Sequence, residues 1–115
     1  MEMWKPSSKP ITYEEWLERG LAMDRLVIHF WAKWNNVDKQ ADEALQQALQ
    51  TTSKSIEPRC FDTDECPDAF DWLRSDLKLA TLPTVIGFSK GTVLGRVIAL
   101  QGAQAYQEAF ADWFA

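Results

Sequence analysis

The chain carries two cysteines and one histidine, and these side chains bound any nucleophilic or redox chemistry it could perform. Cys60 falls in the run Ile56–Phe61, which reads as a weak strand; apolar surroundings there raise a thiol's pKa and leave it inert. Cys66 precedes Pro67 at the start of a helical segment, where the helix dipole favours a thiolate. Asp62, Asp64, Glu65 and Asp68 flank it and pull the other way, since their charges favour the neutral thiol. A Cys60–Cys66 bridge would require a sharp fold-back directly out of the strand. His29 lies within an apolar run and reads as a buried neutral imidazole hydrogen-bonded to a neighbour. One histidine among scattered carboxylates gives no metal-ligand spacing, the serines form no nucleophile elbow, and the glycines form no phosphate loop. Neither a metal nor a cofactor is expected. The acidic pairs Glu14-Glu15 and Asp42-Glu43 read as solvated helix faces.

The elements that position these residues are organised around Arg25–Asp38, RLVIHFWAKWNNVD. Leu26 to Trp31 is a continuous apolar run with β-branched members, the pattern of a strand buried on both faces. It breaks at Ala32-Lys33-Trp34-Asn35-Asn36, and Val37, Ala41, Ala44, Leu45, Ala48 and Leu49 then recur at helical spacing, with Asp42 and Glu43 on the wet face. A strand that feeds a loop at a helix N-terminus is the usual place for a site in an open α/β sheet. Upstream, Thr12 and Glu15 form a capping box for a helix carrying Tyr13, Trp16, Leu17 and Leu21. Residues 1–11 are a leader that pairs loosely at a sheet edge. Downstream, Ala69, Phe70, Leu73 and Leu77 mark a short helix behind Pro67. Val85–Phe88 and Val93–Leu100 form a hairpin across Ser89-Lys90-Gly91-Thr92, and Tyr106, Ala109, Phe110 and Trp113 stripe a last helix after Gly102-Ala103.

With 115 residues, 46% of them hydrophobic, and six tryptophans, a single folded domain spanning 1–115 is expected. The net charge of −5 argues against a nucleic-acid surface, which needs a basic patch. The longest apolar run is short of a membrane span, and the N-terminus lacks the features of a signal peptide. Two cysteines are too few for a disulfide framework, so a reducing, cytoplasmic setting is expected. A monomer or weak homodimer is expected, with Trp4 or Trp113 as dimer contacts.

Two motifs carry a family resemblance. Phe30-Trp31-Ala32-Lys33-Trp34, followed by four residues and Lys39, resembles the active-site strand and loop of thioredoxin, whose pattern is FWAxW-C-G-P-C-K. Ala80-Thr81-Leu82-Pro83-Thr84-Val85-Ile86-Gly87-Phe88 is similar to the family's second signature, xxxPTxxxF. The resemblance covers roughly residues 12–114 and implies an α/β thioredoxin-like fold: a central mixed sheet of four to five strands flanked by about four helices. It implies that Pro83 is a cis-proline facing the loop. Glu43 stands where the family usually has a helix-kinking proline, so a straighter helix is expected.

The four positions of the redox motif hold Asn35, Asn36, Val37 and Asp38. Without two thiols within disulfide reach, ordinary thioredoxin catalysis is excluded on chemical grounds. His29 stands where thioredoxins often place a buried aspartate. What the resemblance leaves is the substrate groove, at Trp34, Asn35, Asn36, Val37, Asp38, Leu82, Pro83, Gly102 and Ala103, which would take a protein or extended peptide by strand addition with Trp34 as an anchor. The wording HFWAxW with a degraded motif is also similar to the N-terminal thioredoxin-like domain of monothiol glutaredoxins. The expected function is a redox-inactive protein-binding adaptor; the alternative is a residual thiol-disulfide oxidoreductase or redox sensor using Cys66 or Cys60. Against groove binding stands the reading in which Trp31 and Trp34 are fold relics packed against the loop, and a third reading is a purely structural subunit, a homodimer burying Trp4 or Trp113.

Overall fold

A computed structural model describes residues 4–64 and 67–115. The sheet is built outward from β2, Leu26–Trp31, in which every residue is buried. Strand alternation sends Leu26, Ile28 and Phe30 to one core and Val27 to the other. β3 (Glu57–Asp62) pairs parallel to β2 on one side, and β4 (Thr84–Ser89) pairs antiparallel on the other. β1 (Lys9–Pro10) adds to β3, and β5 (Thr92–Ile98) adds to β4, giving a five-stranded mixed sheet of order β1-β3-β2-β4-β5. The leader thus pairs at an edge over only two residues, opposite Arg59 and Cys60. Pro58 falls just before that register, where β1 asks no amide hydrogen of it.

On one face Trp72 is the hub, its ring against those of Tyr13, Trp16, Phe30 and Phe61. Helix α1, Tyr13–Glu18, starts at the capping box: Glu15 N–H donates to Thr12 Oγ1, and Thr12 N–H donates to Glu15 Oε1. It buries Trp16 and leaves Leu17 exposed, and Leu21 falls in a separate 3₁₀ turn, Gly20–Ala22, where it too is exposed, so the apolar stripe is narrower than the spacing suggests.

The segment after β3 corrects the expected α-helical stripe. It is a 3₁₀ turn, Pro67–Ala69, running into a π-helical turn, Trp72–Asp76. Trp72 goes into the core, and Phe70 is 60% exposed. Ala69, Trp72, Leu73 and Leu77 are as good a helical stripe as the one containing Phe70, and the larger ring takes the interior.

On the other face α2 (Asp38–Thr51) and α3 (Ala103–Trp113) pack over Val27, Val85 and Val97. α2 runs without a break through Glu43. Trp113 lies across the cross-strand pair Gly87 and Gly95, where an added Cβ would come within 2.4 Å and 2.2 Å of the indole. The ring therefore needs both positions to be glycine. Trp4 sits edge-to-face on Trp31 at 5.7 Å. Both tryptophans expected as dimer contacts are engaged within the chain.

Candidate functional site

The corner after β2 is held by a carboxylate. Asp38, the first residue of α2, is fully buried; its Oδ1 is 3.1 Å from His29 Nε2, and its Oδ2 accepts the Ala32 N–H at 3.1 Å. The loop between them closes with Asn35 N–H to Ala32 O at 3.0 Å and with Asn35 Oδ1 accepting the Val37 N–H at 3.2 Å. Asp38 thus does not face the groove in which the resemblance placed it, because both of its oxygens are used inside. His29 is the buried, hydrogen-bonded imidazole expected of it, through Nε2; its Nδ1 and the Tyr106 hydroxyl are buried without a partner among the described residues.

A second carboxylate extends this network. Asp42, expected on the wet face of its helix, is instead 4% exposed. It accepts the Ser7 N–H at 3.2 Å and the Ser7 hydroxyl at 2.9 Å, and Gln46 donates both to it and to Ser8 Oγ. The leader crosses directly over it and supplies the donors that make burial tolerable. Beneath the leader, the Cys60 thiol donates to Ser8 O at 3.3 Å. Burial first, and then the charge of Asp42, pushes that thiol up to about 11, against a lowering hydrogen bond from Trp31. Burial, followed by the charges of Asp38 and Asp42, pushes the Tyr106 phenol up to about 12. Cys60 is a protonated, covered thiol at neutral pH. Cys66 lies outside the described residues.

On the opposite side of the loop the polarity is reversed. Trp34 is 68% exposed at the turn that follows β2. With Leu82, Phe70, Leu73 and Leu79 it lines an open groove of about 280 Å³, edged by Thr63, Thr81 and Arg74. Thr63 is tied to the end of β2, its N–H and hydroxyl both donating to Trp31 O. The Leu82–Pro83 peptide is cis, Pro83 is buried, and its carbonyl accepts the Ala99 N–H. Of the groove residues named from sequence, Trp34 and Leu82 meet here. Asn35, Asn36, Val37, Pro83, Gly102 and Ala103 do not line this groove. Gly102 is the N-cap of α3. Phe70, Leu79 and Arg74 were missed. The signal for Phe70 was present: Phe70 and Trp72 are two apart and cannot share one helix face.

Among the described residues, no group of histidine, cysteine and acidic side chains could hold a metal ion, and no helix is long and apolar enough to cross a membrane.

The chain matches no family model and no curated protein. Solved structures do match it. The thioredoxin Mala s 13 of Malassezia sympodialis superposes with a TM-score of 0.74 at 20% identity, covering 100% of this chain and 97% of that one. A designed protein matches with a TM-score of 0.77 at 21% identity, over 96% of this chain and 100% of its own. A chain from work on thiol resolution in yeast mitochondrial 1-Cys peroxiredoxin through the glutathione and thioredoxin systems matches with a TM-score of 0.71 at 24% identity, over 92% and 95%. The chain has the thioredoxin-like fold.

Proposed function

We propose that this chain is a redox-inactive thioredoxin-like adaptor, which binds an extended segment of another protein in the groove between Trp34 and Leu82. The observation that carries this reading is the exposure of Trp34 and Phe70 around one apolar groove, beside a corner whose dithiol positions hold Asn35 and Asp38. Exposed aromatic rings converging on a concavity are the usual anchors of a protein interface. Asp38 has no nucleophilic role open to it, because its oxygens hold His29 and the Ala32 amide. The relic reading, in which Trp34 only packs on the loop, fits poorly with 68% exposure. We place the protein in a reducing cytoplasmic setting, as a monomer or weak homodimer.

Affinity capture from native lysate, run beside a Trp34→Ala/Leu82→Asp variant, tests the groove. Proteins retained by the wild type and lost from the variant are expected, and identical capture lists would overturn the assignment. A disulfide-reduction assay with a protein substrate tests the thiol alternative. No turnover is expected, and turnover that disappears in Cys66→Ser or Cys60→Ser would replace the adaptor reading with an enzyme.

A further inference from the structure

The geometry points to an acidic partner segment: an extended peptide whose apolar side chain enters the Trp34–Leu82 groove while flanking carboxylates meet Arg74 and Lys78. This inference rests on the adaptor reading and adds the charge of the segment that the groove selects.

Arg74 lies at the edge of the groove, its guanidinium 5.4 Å from the centroid of the exposed Phe70 ring. Four residues on, Lys78 sits in left-handed backbone at φ 52° and, with Arg74, Leu79 and Ala80, lines a shallow depression. The depression shares Arg74, Leu79 and Ala80 with the groove, so the two form one continuous surface. Both cations are exposed, and among the described residues neither is in an ion pair, although Asp71 and Asp76 belong to the same segment.

The charged side chains that line the groove and the depression are Arg74 and Lys78, both cationic, and they adjoin exposed aromatic surface. Cations at the rim of an apolar site select carboxylates and reject like charge, and they contribute more to specificity and association rate than to burial. Phe70 stands one residue before Asp71 and the π-helical turn, and Arg74 four residues on reaches its ring, so one short segment supplies both the anchor surface and its charged edge.

Three synthetic peptides, each with one central phenylalanine flanked by aspartates, by asparagines or by lysines, are titrated against the intact protein by fluorescence anisotropy. The aspartate peptide is expected to bind about tenfold more tightly than the asparagine peptide, with the lysine peptide weakest. That preference shrinks as salt is raised. Arg74→Glu/Lys78→Glu should invert the order. Equal affinities for the three peptides, or a preference that survives the double charge reversal, would overturn the inference. If binding is lost in Trp34→Ala/Leu82→Asp but indifferent to peptide charge, the groove stands and only the acidic selectivity fails. Binding unaffected by Trp34→Ala/Leu82→Asp, or no binding of any peptide, overturns the groove as well.

Discussion

The two sides of the loop from Ala32 to Asp38 invert the usual distribution of polarity. On one side Asp38, Asp42 and His29 are inside, and the two carboxylates are matched with donors from His29, the loop, the leader and Gln46. On the other, Trp34 and Phe70 stand in solvent. Burying carboxylates is costly unless they are fully hydrogen-bonded, and exposing large rings forgoes hydrophobic stabilisation. The contrast teaches which residues hold the corner and which are free to recognise something else. In this chain the Asp38 carboxylate is structural, and the proposed recognition surface lies across the loop from it.

The contrast breaks most sharply at Asp38. Asp38→Ala leaves His29 Nε2 and the Ala32 amide buried without their acceptor and should cost about 3 kcal/mol, read from urea unfolding midpoints. A retained midpoint would mean that the corner is not held from inside.

Alkaline pH should attack the same side. Folding raises the Cys60 and Tyr106 values from 9.0 and 10.0 to about 11 and about 12, so the folded state holds both protons more tightly than the unfolded chain. Their contribution is intact below the ordinary values and is lost as pH rises through the folded ones. The loss is on the order of 2–3 kcal/mol for each group once the window is crossed. Unfolding midpoints measured from neutral pH to about 12 should fall, and Tyr106→Phe should flatten the upper part of that fall. An identical slope in the variant would exclude Tyr106 as its source.

Asp42→Ala removes the acceptor that pins Ser7 and should cost about 1–2 kcal/mol. Hydrogen exchange in residues 4–10 should rise with it; unchanged protection would show that the leader is held by Trp4 and Cys60 instead. On the exposed side, Trp34→Ala should leave stability within about 0.5 kcal/mol of the wild type. A larger loss would make Trp34 part of the scaffold and remove it from the recognition surface.

The sequence makes the scaffold legible wherever a local pattern encodes it. The uninterrupted apolar run of β2, the Thr12–Glu15 cap and the hairpin at Lys90-Gly91 each carry their own signal. Asp42 was misread because the donor that buries it, Ser7, is 35 residues away, and no helical period reports a strand leader crossing overhead. Asp38 was misplaced because the thioredoxin frame assigns its position to the loop surface, whereas a carboxylate there can turn inward to His29. Phe70 lies outside and Trp72 inside because Ala69, Leu73 and Leu77 fit a helical stripe with either ring, and periodicity alone does not choose between them.

Trp113 in its double-glycine slot has a consequence for how the molecule is made. The β4–β5 hairpin leaves the ribosome with a bare strip across Gly87 and Gly95, and the side chain that fills it is synthesised only in the final turn of α3. Covering of that sheet face must therefore wait for the last turn of α3, so shortening the helix by a few residues should leave an apolar strip of the hairpin exposed in the nascent chain.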